Sequence, residues 1–262
     1  MEVTLDLISD LNIINSLDWE GQPESLICLV AGNVSSDREV VYQTLRHLGQ
    51  QYKHVFYVDG PNDHAWNMDD IAWSYIDLVD QVEEMDNVTF LHNQICMLGK
   101  LAIVPVNGWF SFDFNINFEK EQQFMWMKEN GYRVQSIDDV DRIKSYGISD
   151  VRYLERTIQK IQDMKEIDEI VVVSSTVPDV SFVNHDSTLQ DTPLINLMGN
   201  SYLMSAVKAD VNKKISTWCF GSYSSCTDEI RNGIRFVSNP RGLTHDLGSW
   251  PTYHPKRISL RD

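Results

Sequence analysis

Short apolar runs alternate with amphipathic stretches along almost the whole chain. Eight runs rich in β-branched and aromatic residues predict strands, at residues 3–9, 25–32, 54–60, 88–92, 101–108, 169–175, 214–221 and 234–239. Apolar residues that recur every three or four positions predict helices, at about 37–49, 69–85, 119–130, 149–165 and 195–208. This alternation, without repeats or a linker, predicts one layered α/β domain spanning residues 1–262.

The ends of five predicted strands share one pattern. In each, an apolar run stops at Gly or Ser and small polar residues follow, in the segments LISDLN, LVAGNVSS, YVDGPND, VVSSTVPD and WCFGSYSS. In α/β folds the polar residues that follow strand ends converge on one cleft, and ligands bind there. The sequence therefore predicts one polar site built from five loops.

The charge of the chain narrows the choice of partners. There are 38 acidic and 22 basic side chains, which give a formal net charge of −16. Because nucleic acids and anionic membranes are bound chiefly through Lys and Arg, neither is expected as a partner. No apolar run of about 18 residues occurs, and the start MEVTLDLISDLNII lacks the features of a signal peptide. We therefore expect a soluble protein of the cytoplasm.

Six segments, five of which contain these strand ends, carry a family resemblance. They are LISDLN, LVAGNVSSD, VFYVDGPND, NVTFLHNQICMLGKLAIVPVNGW, EIVVVSSTVPD and WCFGSYSSCTDEIRNGIRFVSNPRG. In this order they resemble the motifs of the calcineurin-like metallophosphoesterase family, especially its bacterial and phage-type members. In the last segment Trp218, Gly221, Gly233 and the turn 239–242 stand at matching positions. The resemblance implies a layered α/β/β/α sandwich in which helices flank two central mixed β-sheets.

The resemblance also implies a chemistry, in which two metal ions polarise a phosphoryl group and activate a bridging water. Such a centre needs carboxylate charge and neutral imidazoles as ligands. Asp10 keeps the first carboxylate, but amides or hydroxyls stand at five other ligand positions. Asn12, Ser175, Ser222 and Ser224 replace histidines of the family, and Asn33 replaces its bridging aspartate.

The third motif, in the segment DGPND, admits two alignments. Without a gap, Pro61 stands where the family has a ligand asparagine and Asn62 where it has the catalytic histidine. If Pro61 is an insertion, Asn62 keeps the ligand role, Asp63 takes the catalytic position and His64 follows. The sequence leaves both alignments open, together with an acid/base pair formed by Asp63 and His64.

Because every ligand imidazole and the bridging carboxylate are replaced, we predict a degenerate member of the family without catalytic residues, metal or cofactor. It would act through a protein partner or as a homo-oligomer, and a viral structural or accessory role would place it in the host cytoplasm or the virion. Two alternatives stay open: a residual phosphoesterase with one metal ion, and a sensor of a nucleotide or other small molecule. The candidate binding cleft comprises Asp10, Asn33, Asn62, Asp63 and His64.

Two neighbouring stretches concentrate aromatic and Met side chains. They are GWFSFDF at 108–114 and FMWMKENGY at 124–132, where the family often has a substrate-facing insertion. Core packing is the first interpretation of both, and an exposed surface for a protein partner is the second.

Overall fold

The computed structural model describes residues 2–14, 23–183, 191–222, 225–242 and 253–261. Two β-sheets form the centre of the fold. The first has the order β11-β1-β2-β3-β4 and the second the order β5-β6-β7-β8-β10-β9. The first contains β1 (Glu2–Ser9), β2 (Ile27–Ala31), β3 (His54–Val58), β4 (Val88–Phe90) and β11 (Lys256–Arg261). The second contains β5 (Cys96–Leu98), β6 (Leu101–Val106), β7 (Glu169–Ser174), β8 (Ile215–Phe220), β9 (Thr227–Arg231) and β10 (Ile234–Ser238).

Both sheets are mixed. β1 to β4 run parallel and β11 is antiparallel to β1. In the second sheet β6, β7, β8 and β10 run parallel, while β5 and β9 are antiparallel edge strands. The strands that precede the predicted polar loops therefore run in one direction within each sheet, which brings their carboxyl ends together at one edge.

Helices cover the outer face of each sheet. They are α1 (Arg38–Gln51), α2 (Ile71–Glu83), α3 (Lys120–Glu129) and α4 (Asp138–Gln162). Apolar residues of β1, β2 and β3 pack against those of β6, β7 and β8 in a core between the sheets. A second core lies between the first sheet and α1 and α2, and a third between the second sheet and α4. The predicted α/β/β/α sandwich with two mixed sheets is confirmed.

The predicted helix at 195–208 is wrong. Two 3-10 helices, Pro193–Leu197 and Leu203–Ala209, occupy this region instead. Gly199 and Asn200 separate them, because a Cβ on Gly199 would overlap the ring of Phe114 and the Asn200 amide donates to the carbonyl oxygens of Trp109 and Gly147. Long-range contacts therefore override the helical pattern.

The predicted helix at 149–165 is the second half of a longer one, since α4 begins at Asp138. Gly147 lies within α4, where a Cβ would overlap the carbonyl oxygen of Trp109. Three strands were also missed: β5, β9 and β11. The sequence of β9 is TDEIR, an edge strand with mostly exposed side chains, so it lacks the apolar alternation that predicts a half-buried strand.

The two aromatic stretches take part mainly in core packing. Trp109, Phe110 and Met127 are buried in a cluster beside α2, and Phe124 and Trp126 pack against it half-buried. Met125 is half exposed. Within the described residues no helix is long and apolar enough to cross a membrane.

Candidate functional site

The loops that follow β1, β2, β7 and β8 and the 3-10 helix Pro61–Asp70 after β3 meet at one edge of the two sheets. Four non-glycine residues in these loops have left-handed backbone: Asp10 (φ 49°), Asn12 (φ 45°), Asn33 (φ 56°) and Ser222 (φ 63°). This conformation is uncommon outside glycine, although Asn and Asp adopt it most readily. The strained loops bring polar side chains from distant parts of the sequence into contact.

The side-chain amide of Asn33 lies at the centre of the site. Its Nδ2 is 2.9 Å from Oδ1 of Asp10, 2.8 Å from Oγ of Ser222 and 3.2 Å from the carbonyl oxygen of Ser175. Its Oδ1 accepts a hydrogen bond of 3.2 Å from the backbone N–H of Asn62. One amide therefore links all five strand ends. An aspartate at this position could accept but could not donate.

Asp10 supplies the carboxylate that contacts the side-chain amide of Asn33. Its Oδ1 accepts from Asn33 and from the backbone N–H of Ser222 at 2.8 Å, whereas its Oδ2 is buried without a hydrogen-bond partner. Burial raises the pKa of Asp10 to about 7, although these two hydrogen bonds act to lower it. Asp10 thus changes its charge close to neutral pH.

Ser175 and Ser222 stand where the family resemblance implies histidines, and their hydroxyls bond to backbone carbonyl oxygens. Ser222 Oγ donates to the Ser175 carbonyl oxygen at 2.9 Å, and Ser175 Oγ donates to the Asn107 carbonyl oxygen at 2.6 Å. Ser175 also lies against Gly32, where a Cβ would overlap the Cβ of the serine. Little room is therefore left around Ser175. Ser224 lies outside the described residues.

Asn12 and Asn62 form the half-buried rim of the site. Asn62 Nδ2 lies 3.4 Å from Oδ1 of Asn12, whose Nδ2 donates to the backbone carbonyl of Asp10 at 3.1 Å. Tyr132 lies near these loops, and burial followed by the charges of Asp63 and Asp10 raises the pKa of its phenol. Sequence reasoning placed Tyr132 in an aromatic stretch but did not assign it to the site.

Asp63 anchors the loops and does not reach into the cleft. Its carboxylate is buried, and its pKa is raised by that burial to about 6 while hydrogen bonds oppose the shift. The donors are the backbone N–H groups of Asn33, Val34, Ser35 and Gly60 and the hydroxyl of Tyr57, at 2.6 to 3.1 Å. With all these donors engaged, Asp63 does not suit the catalytic position that the gapped alignment assigns to it.

His64 is fully buried and contacts Asp59 rather than Asp63. Its Nε2 lies 2.8 Å from Oδ2 of Asp59, and its Nδ1 lies 2.7 Å from Oγ of Ser74. Burial disfavours the ionised form of Asp59, but hydrogen bonds and charge from His64 outweigh it and lower the pKa. Although a serine, a histidine and an aspartate are connected, His64 and Ser74 are both 0% exposed. This triad cannot reach a substrate.

The residues at the strand ends do not fit a dinuclear metal centre. Asn33 points donor hydrogens at the oxygens of Asp10, Ser175 and Ser222, which would have to face a cation instead. Within the part of the chain that the structure describes, no group of three or more His, Cys, Asp or Glu side chains is placed to hold an ion. Asp10 alone cannot supply the charge that two divalent ions require.

Comparisons with known proteins agree on the fold. No protein-family profile matches the chain. The uncharacterized protein L509 of Acanthamoeba polyphaga mimivirus is 19% identical over 263 residues, which cover 95% of this chain and 90% of that protein. The crystal structure of phosphopantetheinyl hydrolase (PptH) from Mycobacterium tuberculosis superposes with a TM-score of 0.73 at 17% identity, covering 99% of this chain and 96% of that one.

A second solved structure has the same fold over a smaller part of its length. It is a putative 5'-nucleotidase from Staphylococcus aureus, with a TM-score of 0.50 at 10% identity, covering 100% of this chain and 51% of that one. These structural neighbours are calcineurin-like metallophosphoesterases. The chain therefore has the metallophosphoesterase fold.

Proposed function

We propose that this chain is a non-catalytic protein with the metallophosphoesterase fold, which acts by binding another protein or a second copy of itself. The observation that supports this proposal is the contact set of Asn33. Its amide bonds to groups from all five strand ends, in the region where the fold family holds its metal ions. The side chains that would bind a substrate phosphate through metals bind one another instead.

The side chains that could act as a general base support the same conclusion. A hydrolase needs a group within hydrogen-bond reach of the attacking water, with a suitable protonation state. His64 is fully buried, and the carboxylate of Asp63 is saturated with donors. Asp10 is 4% exposed, its Oδ1 is engaged by Asn33 and Ser222, and its Oδ2 is buried away from solvent. None of the three suits the activation of water.

A viral structural or accessory role is part of this proposal. It is supported by the mimivirus protein, which aligns with nearly the full length of the chain. Such a role requires a folded surface and a partner but no turnover. The fold alone does not name the partner.

The proposal is tested by metal analysis and hydrolysis assays on one preparation. Protein purified without chelator should contain no stoichiometric Mn, Fe or Zn. Cleavage of a generic phosphodiester, and of a phosphopantetheinyl ester chosen after the named activity of the Mycobacterium tuberculosis neighbour, should not exceed the buffer control. Native mass spectrometry of protein isolated from its source should show an oligomer or a complex. Stoichiometric metal together with turnover would contradict the proposal.

One observation favours a second candidate, a residual phosphoesterase with a single metal ion. Oδ2 of Asp10 is buried without a partner, and such an oxygen can accept a cation. If this candidate is correct, Mn²⁺ should raise the melting temperature of the protein and Asp10→Ala should abolish both that shift and any hydrolysis. An Asp10→Ala variant with the activity of the natural sequence excludes this site.

A further inference from the structure

The outer face of α4 carries a row of three cations. Arg152, Arg156 and Lys160 are exposed and follow at intervals of four residues, so they lie on one side of the helix. At a rise of about 1.5 Å per residue the row is about 12 Å long. We call these three residues the basic stripe. It borders a groove of about 480 Å³ that is lined by Ser149, Arg152, Tyr153, Arg156, Thr157 and Lys160.

The basic stripe has no acidic partner among the described residues, although the chain has 38 acidic side chains for 22 basic ones. Several other cations of the fold are paired with carboxylates. Lys120 lies 2.6 Å from Asp141, and Arg235 lies 2.8 Å from Asp228. Other exposed cations without a carboxylate among the described residues, such as Lys53, Lys128 and Lys165, stand on different segments, whereas the three of the stripe share one helix face.

The stability of α4 does not explain the stripe either. Like charges four residues apart on a helix repel each other, so both neighbouring pairs in the stripe disfavour the helix. A cation near the end of a helix is stabilised by the helix dipole, but this effect is confined to the last turn. It applies to Lys160, whereas Arg152 and Arg156 lie well before the end of α4 at Gln162. Glu155 on the same helix accepts instead from Ser205 at 2.6 Å.

The spacing of the cations indicates what they would bind. A single phosphate is held by donors that converge on one point, whereas these cations are spread one helical turn apart. They match carboxylates with the same spacing, as on one face of a helix. A nucleic acid longer than the stripe would meet the negative surface of a chain with net charge −16. At physiological salt, charges more than about 8 Å away are largely screened, so a short acidic segment experiences the stripe with its neighbours Glu155 and Asp163 rather than the net charge of the chain.

We propose that the basic stripe of α4 is a docking site for an acidic segment of a different protein, with Asp or Glu side chains one helical turn apart. This inference rests on the proposed function, since it assigns a surface to the protein binding that replaces catalysis. A second copy of the chain is not the expected occupant, because two molecules of net charge −16 repel each other.

The test uses the full chain and a labelled helical peptide with Glu at positions i, i+4 and i+8, followed by fluorescence anisotropy. A peptide of the same composition with the Glu residues scrambled around the helix is the matched control ligand. The test variant is Arg152→Glu, Arg156→Glu, Lys160→Glu. Its matched control, with the same change in net charge, is Lys53→Glu, Lys128→Glu, Arg133→Glu at exposed positions of other segments. If this stripe variant fails to fold, the same three residues are replaced by Gln instead of Glu.

We expect the peptide with Glu at i, i+4 and i+8 to bind the protein of natural sequence. Its affinity for the stripe variant should be at least about tenfold lower, and its affinity for the control variant should change little. Affinity should fall as salt rises. The inference is overturned if both variants lose affinity equally, if the scrambled peptide binds as well, or if polyphosphate or single-stranded nucleic acid binds more tightly. Self-association that the stripe variant abolishes would also overturn it. None of these results changes the metal content, which tests the proposed function separately.

Discussion

Replacement of Asp10 by asparagine tests the state of the site most directly. In an active metal centre this carboxylate holds an ion, and its loss should destabilise the protein. In this structure Asp10 is buried among an amide, a hydroxyl and backbone groups, and its pKa is raised from 3.8 to about 7. We therefore expect Asp10→Asn to stabilise the fold at alkaline pH and to lose that advantage in acid.

The size of the effect follows from proton linkage. Between pH 3.8 and about 7 the folded protein retains a proton on Asp10 that the unfolded chain releases. The associated stability is fully present below the unfolded pKa and is lost as pH rises through the folded pKa. A shift from 3.8 to about 7 corresponds to about 4 kcal/mol as an upper bound, and more than half of this stability is lost between pH 5 and 8.

The substitution itself has a cost. The new side-chain amide keeps the oxygen that accepts from Asn33 and Ser222, but it places an NH2 group where Oδ2 of Asp10 has no partner. A buried donor without a partner costs about 1–3 kcal/mol. The balance is a variant close to the natural sequence in stability at pH 5 and about 1–3 kcal/mol more stable at pH 8.

Urea unfolding followed by circular dichroism at pH 5, 6, 7 and 8 measures the free energy of unfolding of the variant and of the natural sequence. Asp228→Asn is the control, because its hydrogen bond to Arg235 lowers the pKa of Asp228 to about 2. Asp228 is ionised in both states across this range, so its replacement should have the same effect at every pH. A destabilised Asp10→Asn variant at pH 8, or a difference from the natural sequence that does not change with pH, would refute the reasoning.

Three further substitutions probe the same loops by chemical denaturation. Asn33→Asp brings a second carboxylate against Asp10 and removes the central donor, so it should cost at least about 2 kcal/mol, and recovery with Mn²⁺ would contradict our description of the site. His64→Ala leaves the buried carboxylate of Asp59 without its hydrogen-bonded partner and should cost about 3–5 kcal/mol. Adding Asp59→Asn should recover part of the lost free energy of unfolding. If it recovers none, the loss comes from the packing of the His64 ring rather than from the buried carboxylate. Gly32→Ala, at φ 69°, should cost at least about 2 kcal/mol. Adding Ser175→Gly to the Gly32→Ala variant should relieve the steric overlap of the new Cβ with Ser175, but not the strain of the left-handed backbone at residue 32.

Sequence reasoning grouped most residues of the candidate site but did not predict the contacts among them. The strand-end positions Asp10, Asn12, Asn33, Asn62, Ser175 and Ser222 all lie together in the structure. This could be predicted because carboxyl ends of parallel strands meet at one edge of a sheet. Asp63 and His64 belong to the same motif, yet neither side chain faces the cleft. Asp63 bonds to the loop after β2, and His64 bonds to Asp59. No local pattern distinguishes a side chain that faces the cleft from one that faces the core.

The sequence by itself determined the elements of this protein. Hydrophobic periodicity is a local property, so it identified eight strands and the positions of four helices, and small polar residues marked where strands end. Tertiary structure alone decided what the loops form. The Asn33 amide contacts Ser175 and Ser222 across 142 and 189 residues, and Asn200 breaks a helical pattern by bonding to Trp109 across 91 residues. Contacts over such separations exist only once both sheets have assembled, and for that reason no stretch of the sequence records them.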